Sequence, residues 1–352
     1  MNDLNRWATW REIHAQPQIW SDWAETLDAA TLRDWVAERD VEEIWFSGAG
    51  TSAYIGDILV AGLEGEVGPR LRSVASTDLV SRPAAYLGQR RPLVVNFGRS
   101  GNSTESLGTL DVLDTLAPDA PRLNITCNPE GALVTRTSPG PSRSVLLPEA
   151  THDAGFAMTS SFSTMLLTAW AIFGPDGVPS HFAALARALR KLLPAYTDAG
   201  PPPARAVYLG TGPQAFAARE AALKVMELSA GRIPALWDST LGFRHGPKSF
   251  VTSDTAITLF RSADTPARLY EDDLAAELRD QFPQARITII GPGGDIDHPH
   301  SGIGGAVLNV VQAQVAGVLW SEALGLNVDD PFAGQGTLSR VVSGVTLHPV
   351  TS

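Results

Sequence analysis

The sequence of 352 residues predicts an α/β protein with two tandem parallel-sheet subdomains that follow a helical arm. Short apolar strands alternate with helical segments along most of the chain, which is typical of parallel βαβ units. The same order of units then recurs at a spacing of 162 residues, which indicates an internal duplication. The predicted boundaries are 1–40 for the arm, 41–198 for the first subdomain, and 199–352 for the second subdomain with its C-terminal tail.

The N-terminal arm is predicted to form two short helices that are interrupted near Gln16 and Pro17. Trp20, Trp23 and Trp35 fall near one face of the second helix. Tryptophans in such a stripe anchor a helix to a protein body or to a partner subunit. We therefore interpret this segment as a structural arm.

Each repeat carries three strand segments that lead into loops or helices. They are VEEIWFS, PLVVNF and RLNITC in the first repeat, and AVYL, AITLF and ARITII in the second. The pairs that set the spacing of 162 are Gly50 with Gly212, Ser100 with Ser262, and Ile125 with Ile287. A helical stretch joins the repeats. The later segment AVLNVVQAQVAGVLWSEALGL is predicted to be a strand that runs into an apolar helix.

Two loops of the first repeat, GAGTS and GRSGNST, have the composition of a phosphate site. Ligands of parallel sheets bind beyond the carboxyl ends of the strands, where helix N-termini offer N–H groups and a positive dipole end. Glycines permit a close approach, and hydroxyl groups are short donors. We predict that these loops bind a phosphomonoester, with Arg99 as an additional cation. The residues are Gly50, Thr51, Ser52, Arg99, Ser100, Asn102 and Ser103.

Other interpretations of these loops are weaker. The GxxxxGK[ST] motif is absent, so the chain is not a Walker NTPase. The loop GAGTSA lacks the last glycine of GxGxxG, and no acidic residue ends a second strand, which disfavours a dinucleotide site. The remaining alternative is that Ser52, Ser100 and Ser103 are only helix N-caps.

The second repeat has lost these loop sequences and carries charges instead. Glu220, Lys224 and Glu227 are spaced i, i+4 and i+7, which places them on one face of an otherwise apolar helix. Buried charges are expensive unless they are paired or used. His245 follows in a turn with glycine and proline. These groups could perform proton transfers; the alternative is a solvated helix face and a structural histidine.

Composition limits the function further. A formal net charge of −11 argues against nucleic acid and anionic membranes as partners. The single cysteine, Cys127, cannot form an internal disulfide and is interpreted as a packing residue. The N-terminus lacks an apolar signal region, and no run approaches the ~18 apolar residues of a membrane span, so a cytoplasmic location is expected. His298 and His300 lack accompanying ligands at metal spacing, and we expect solvated loop residues there and no metal.

Five motifs together resemble the sugar isomerase (SIS) proteins: GAGTSAYIGD, FGRSGNSTES, HDAGFAMTSS, AREAALKVMEL and GFRHGPKS. More narrowly they resemble the galactosamine-6-phosphate deaminase branch, long labelled tagatose-6-phosphate ketose/aldose isomerase. The resemblance covers nearly the whole chain. It implies two SIS subdomains, each a five-stranded parallel sheet flanked by helices, a homodimer or higher oligomer, and a sugar phosphate substrate without a cofactor.

The isomerase half of glucosamine-6-phosphate synthase is a better understood relative by this resemblance. Ser52, Ser100 and Ser103 fall where that enzyme holds the sugar phosphate. Glu227 falls at its enolisation base. His245 falls at its ring-opening histidine, which in that family reaches in from the neighbouring subunit.

Glu220 and Lys224 match the supporting ion pair of the same relative. The chain departs from it at Gly98 and Arg99, which replace a serine and a glutamine. A catalytic lysine near that enzyme's C-terminus, which forms a Schiff base with the ketose, has no counterpart in TLSRVVSGVTLHP. The absence suits a substrate that already carries the amine. The resemblance thus implies a deaminase that converts galactosamine 6-phosphate to tagatose 6-phosphate and ammonia.

Three other functions stay open at this level. The chain could be a tagatose-6-phosphate ketose/aldose isomerase or a glucosamine-6-phosphate deaminase, since the epimer depends on side chains that the sequence does not place. A non-enzymatic phosphosugar sensor is disfavoured because the acidic chain shows no basic helix-turn-helix. His152 with Asp153 is either a substrate-side pair or a structural pair.

Overall fold

Two separate parallel sheets form the framework of the computed structural model, which describes residues 3–65, 68–88, 90–336 and 338–350. The first sheet has the strand order β2-β1-β3-β4-β5 and the second has the order β7-β6-β8-β9. The strands are β1 (Glu43–Ser47), β2 (Arg70–Ser73), β3 (Leu93–Gly98), β4 (Arg122–Thr126), β5 (Ser142–Leu146), β6 (Arg205–Gly210), β7 (Ala235–Ser239), β8 (Thr255–Phe260) and β9 (Arg286–Ile290). The predicted parallel α/β class is confirmed.

Twelve helices accompany these strands in the described residues. They are α1 (Ala8–Thr26), α2 (Ala29–Ala37), α3 (Thr51–Gly62), α4 (Ser76–Ser81), α5 (Pro83–Tyr86), α6 (Thr104–Leu116), α7 (Ala132–Thr135), α8 (Ser160–Phe173), α9 (Val178–Tyr196), α10 (Pro213–Leu228), α11 (Thr265–Gln281) and α12 (Gly302–Ala323). Short 3₁₀ turns lie at Leu4–Arg6, Glu149–Thr151, Gly242–Arg244 and Pro247–Phe250. The largest apolar cluster takes side chains from both sheets and from helices of the arm, so one core supports both repeats.

The arm contains a single long helix where the sequence predicts a break, so that prediction is wrong. Pro17 lies inside α1 and cannot donate a backbone hydrogen bond to the carbonyl of Ile13. The side chain of Gln16 donates to that carbonyl instead, at 3.2 Å, and satisfies it. The indole N–H groups of Trp20 and Trp23 donate to hydroxyl groups of α8, which anchors the arm to the protein body.

The second sheet has four strands in the part of the chain that the structure describes, and not the five that the resemblance implies. The segment predicted to begin as a strand is helical from its first residue to Ala323, within α12. This helix is buried on nearly all sides, so its apolar residues are continuous, as they are in a buried strand. It is long and apolar enough to cross a membrane, but 89% of its most apolar window is buried inside the protein.

Two strands of each repeat begin 162 residues apart, β1 with β6 and β3 with β8. Gly50 (φ 55°, ψ −128°) and Gly212 (φ 58°, ψ −129°) precede α3 and α10 with the same backbone conformation. In the third unit, Ile125 pairs with Phe97 as Ile289 pairs with Leu259. The structural spacing there is 164, so the match of Ile125 to Ile287 is wrong by two residues. The subdomain boundaries at 1–40, 41–198 and 199–352 stay a prediction.

Candidate active site

A cavity of about 210 Å³ lies beyond the carboxyl ends of β1 and β3. The loops after these strands border it, and α10 and the C-terminal tail close it from the other side. The structure brings together seven of the predicted site residues here: Gly50, Thr51, Ser52, Arg99, Ser100, Ser103 and Glu227. The cavity therefore joins the phosphate-like loops of the first repeat to the charged helix of the second.

Two helix N-termini border the cavity. Gly50 precedes α3 with a positive φ of 55°, which glycine adopts at no steric cost. Ser103 caps α6 by accepting from the backbone N–H of Ser106 at 3.3 Å. Ser100 accepts from the N–H of Asn102 at 3.2 Å, and Ser52 is 5% exposed. The capping alternative therefore holds for Ser103, and anion binding by the first turns of α3 and α6 stays a prediction.

Arg99 and Asn102 differ from the other predicted phosphate residues. The Arg99 guanidinium is buried and donates to the carbonyls of Gly155 (3.0 Å) and Arg340 (2.9 Å), so it ties two loops together at the cavity wall. Burial and the nearby Arg340 charge lower its pKa. The Asn102 side chain accepts from the N–H of Ala132 at 2.8 Å and is not among the described residues that line the cavity.

The C-terminal tail contributes cavity residues that the sequence does not single out. Ser339, Arg340, Val341 and Val342 line one wall. The Arg340 side chain donates to the carbonyl of Gly155 at 3.2 Å and to the carbonyl of Asp153 in the same loop. The carbonyl of Val342 accepts from the first N–H of α6 at 3.3 Å. Such a tail has no periodic pattern, so only its proximity in the fold identifies it.

The charges of α10 form a cluster at the cavity. Lys224 has no exposed side-chain surface and lies between Glu220, whose carboxylate is 3.3 Å away, and Glu227. Glu220 is also fully buried, whereas the Glu227 side chain is 24% exposed and borders the cavity. A solvated helix face is therefore excluded. Glu227 is the member of the cluster that a ligand can reach.

Burial and charge compete within this cluster. Burial raises the pKa of Glu220 to about 8, although the charge of Lys224 acts in the opposite direction. Burial lowers the pKa of Lys224, but the two carboxylates outweigh this effect and raise it. Lys224 therefore stays an ammonium, and it holds the carboxylate of Glu227 by a short contact.

His245 does not line this cavity in its own chain. It follows the 3₁₀ turn Gly242–Arg244, is exposed, and is not among the described residues that border the cavity. Arg244 beside it pairs with Glu277 on α11 at 2.7 Å. The structure of one chain thus brings Glu220, Lys224 and Glu227 to the phosphate-like loops without His245.

The HDAGFAMTSS motif has a structural use. Asp153 is 1% exposed and accepts from the N–H groups of Thr159 and Ser161 at 2.8 and 3.0 Å, which caps α8. His152 is partly exposed, and burial together with Arg340 lowers its pKa. These contacts favour the structural alternative for the pair.

The corresponding loops of the second repeat are filled by the protein's own side chains. Glu271 accepts from both the N–H and the hydroxyl of Ser262 at 2.8 Å. Asn309 donates to Gln214 at 2.8 Å and bonds to His298, also at 2.8 Å. His298 is 3% exposed, so the expectation of a solvated loop residue is wrong for it. Burial lowers its pKa, which favours the neutral ring.

Two curated relatives and one solved structure, each matching most of the chain, are sugar-phosphate deaminases and isomerases by name. The chain is 38% identical to D-galactosamine-6-phosphate deaminase AgaS of Escherichia coli O157:H7, over 97% of the chain and 96% of the relative. It is 35% identical to the protein of the same name in Shewanella sp. (strain ANA-3), over 97% and 92%. The crystal structure of tagatose-6-phosphate ketose/aldose isomerase from Escherichia coli matches with a TM-score of 0.87 and 35% identity, over 98% and 97%. No protein-family model matches the chain.

Proposed function

The chain belongs to the D-galactosamine-6-phosphate deaminase AgaS family, and we propose that it converts galactosamine 6-phosphate to tagatose 6-phosphate and ammonia. The observation that carries this proposal is the position of Glu227. Its carboxylate borders the same cavity as two helix N-termini with serine-rich loops. A base beside a phosphate site is the arrangement that isomerisation of a sugar phosphate requires.

The sugar phosphate would bind at Ser52, Ser100 and Ser103. Their hydroxyl groups and the N–H groups of the first turns of α3 and α6 supply donors, and the helix dipoles favour a dianion. Gly50 lets the backbone come close. The Arg99 charge is nearby and contributes to the field, although its donors are used by carbonyls. The side chain of Asn102 would support the loop more than it would touch the phosphate.

Glu227 would act as the base on the open-chain aldehyde. It removes the C2 proton and returns a proton to C1, while a second proton moves from the nitrogen to the O1 oxygen. C1 becomes a CH₂OH group and C2 becomes an imine. Water adds to C2, the carbon–nitrogen bond breaks, and the ketose phosphate and ammonia leave. Lys224 orients the Glu227 carboxylate, and Glu220 is the second carboxyl partner of that ammonium.

A plain ketose/aldose isomerase is the second candidate, and the name of the Escherichia coli structure supports it. With a hydroxyl in place of the amine, the same proton transfer from C2 to C1 interconverts aldose and ketose. The deaminase is favoured because relatives at 35% and 38% identity carry that name. The tail that lines the cavity carries Arg340 and no lysine, which disfavours a synthase that forms a Schiff base with a ketose and fits both candidates equally.

The complete site would require a second copy of the chain in a homodimer or a higher oligomer. His245 is exposed and is not among the described residues that line the cavity of its own chain, as expected for a residue that serves a neighbour. There it would move a proton during ring opening. The relatives are metabolic enzymes by name, and we propose a cytoplasmic location.

Ammonia release from galactosamine 6-phosphate tests the proposal, with glucosamine 6-phosphate and tagatose 6-phosphate as alternative substrates. We expect Glu227→Gln to lower kcat about 10²- to 10⁴-fold, which is the usual contribution of a general base. Binding of a hexitol 6-phosphate should survive the substitution. His245→Ala should also be inactive, and mixed oligomers of the two variants should recover part of the activity.

Each result has a clear opposite. Turnover that is unchanged in Glu227→Gln would exclude the base. Interconversion of tagatose 6-phosphate with its aldose, without ammonia release from either amino sugar, would favour the isomerase. Mixed oligomers that stay inactive, despite confirmed exchange of subunits, would place His245 outside the neighbouring site.

A further inference from the structure

The hydroxyl of Thr51 joins the two repeats at the cavity. Lys224 donates to Thr51 Oγ1 at 2.9 Å, and this hydroxyl donates to Glu220 Oε1 at 3.2 Å. Thr51 is 4% exposed, and its two partners have no exposed side-chain surface. The backbone of Thr51 lies in the first turn of α3, beside Gly50. One residue thus gives its backbone to the phosphate loop and its side chain to the charge cluster.

The ammonium of Lys224 depends on this hydroxyl. An ammonium has three donors, and three oxygens surround it: Thr51 Oγ1, Glu220 Oε1 at 3.3 Å, and Glu227 Oε2. Glu220 Oε2 already has no hydrogen-bond partner among the described residues. Loss of the hydroxyl would leave both a buried donor and a buried carboxyl oxygen short of a partner, and the ammonium would shift toward the two carboxyl groups.

The counterpart of Thr51 in the second repeat lacks this chemistry. At the spacing of 162 it is Pro213, which has neither a hydroxyl nor a backbone N–H. Pro213 therefore cannot make the equivalent contact. Thr51, in the first repeat, makes the hydroxyl contact with α10, and the loops of that repeat border the cavity. The Thr51 side chain, predicted from sequence to be a phosphate ligand, faces the charge cluster.

We propose that Thr51 is a positioning residue, whose hydroxyl fixes Lys224 so that the Glu227 carboxylate stays turned toward the bound sugar. The inference rests on the proposed role of Glu227 as the base. It assigns to Thr51 a part in the proton transfer and not in phosphate affinity. The first turn of α3 would then bind the phosphate and, through the Thr51 side chain, orient the Glu227 carboxylate. This arrangement links substrate binding to proton transfer.

Thr51→Val, which keeps the shape and removes the hydroxyl, tests this assignment. We expect roughly 10- to 100-fold lower kcat, because small displacements of a reacting group have effects of this size. KM and the inhibition constant of a hexitol 6-phosphate should change by no more than about threefold. Exchange of the sugar's transferred proton with D₂O should slow by the same factor as kcat. Thr51→Ser should restore most of the rate.

The opposite outcomes separate this inference from the proposed function. A Thr51→Val variant with raised KM and unchanged kcat would make the hydroxyl a phosphate ligand. Unchanged kcat and KM, in a protein where Glu227→Gln is inactive, would overturn the positioning role alone. An active Glu227→Gln variant would overturn both. If Thr51→Val does not fold, Thr51→Ala is judged by the same separation of kcat from KM.

Discussion

The two repeats start their first helices with the same turn but use the space in front of it differently. Gly50 and Gly212 have nearly identical φ and ψ. In the first repeat, Ser52 and Ser100 border an open cavity. In the second, their counterparts Gln214 and Ser262 at the spacing of 162 are bonded to other groups of the chain.

Glu271 has the role in the second repeat that a bound anion would have in the first. Its carboxylate accepts from the N–H and the hydroxyl of Ser262, both at 2.8 Å, and it has no exposed surface. Gln214 donates to the carbonyl of Gly302 at 3.0 Å and accepts from Asn309 at 2.8 Å. A frame that presents donors to an anion becomes a structural element once internal oxygens satisfy those donors.

The first prediction compares Ser100→Ala with Ser262→Ala and has the larger expected effect. A hydrogen bond to a charged group contributes about 1.5 to 3 kcal/mol, so Ser100→Ala should raise KM about 10- to 100-fold with kcat nearly unchanged. Ser262→Ala should leave both constants as they are, because its partner is Glu271. Steady-state ammonia release measures both variants. A loss of kcat alone in Ser100→Ala would contradict a phosphate role.

The second prediction concerns stability. Glu271→Ala leaves the N–H and the hydroxyl of Ser262 buried without an acceptor, which should lower the free energy of unfolding by about 1 to 3 kcal/mol. Glu271→Gln keeps one acceptor and should lose less. Asp272→Ala removes an exposed partner of Arg261 and should change stability by less than about 1 kcal/mol. Urea unfolding gives all three values.

The kinetic constants of Glu271→Ala test whether the second repeat contributes to phosphate binding. Glu271→Ala should keep its KM for the sugar phosphate, since in the proposed site only the first repeat holds the phosphate. A raised KM with normal stability would mean that both repeats contribute to the ligand, and the contrast between them would fail.

Five of the six strands that the sequence predicted are buried central strands, and β9 is the one predicted edge strand. The three strands that it missed all lie at sheet edges. β2, β5 and β7 are edge strands with mixed or low burial, so their residues have no apolar run or clear alternation. The wrong prediction of a strand at the start of the α12 segment has the opposite cause. α12 is apolar all round, so its period is hidden and its first part looks like a buried strand.

The site was predictable where one segment contains the chemistry. The spacing of Glu220, Lys224 and Glu227 alone requires a common face once the segment is helical. Thr51 lies at the cavity loop, but its side chain contacts Lys224 on α10. Arg340 reaches the same cavity from the C-terminal tail. Both arrangements depend on contacts between segments that are distant in sequence. No local pattern encodes such contacts. The proposed role of His245 depends further on a second copy of the chain.

The last prediction uses a further difference between the repeats, since the arm supports a loop of the first. Glu12 of α1 accepts from the N–H of Ala154 at 2.6 Å, next to the helix cap formed by Asp153. Burial raises the pKa of Glu12 to about 7, and the charge of Asp153 adds to this, while the backbone hydrogen bonds oppose it. The folded protein therefore holds this proton at pH values where the unfolded chain has released it.

Stability should fall as pH rises from about 4.5 to 7, because the raised pKa favours folding below the unfolded value and that contribution is lost through the folded one. Glu12→Gln cannot lose a proton, so its melting temperature should gain on that of the wild type across this window. One pKa unit corresponds to about 1.4 kcal/mol. Partial exposure of Glu12 should reduce the observed gain to about 1 kcal/mol. If the melting temperatures of the wild type and Glu12→Gln instead change in parallel from pH 4.5 to 7.5, the arm does not hold this loop through a protonated Glu12.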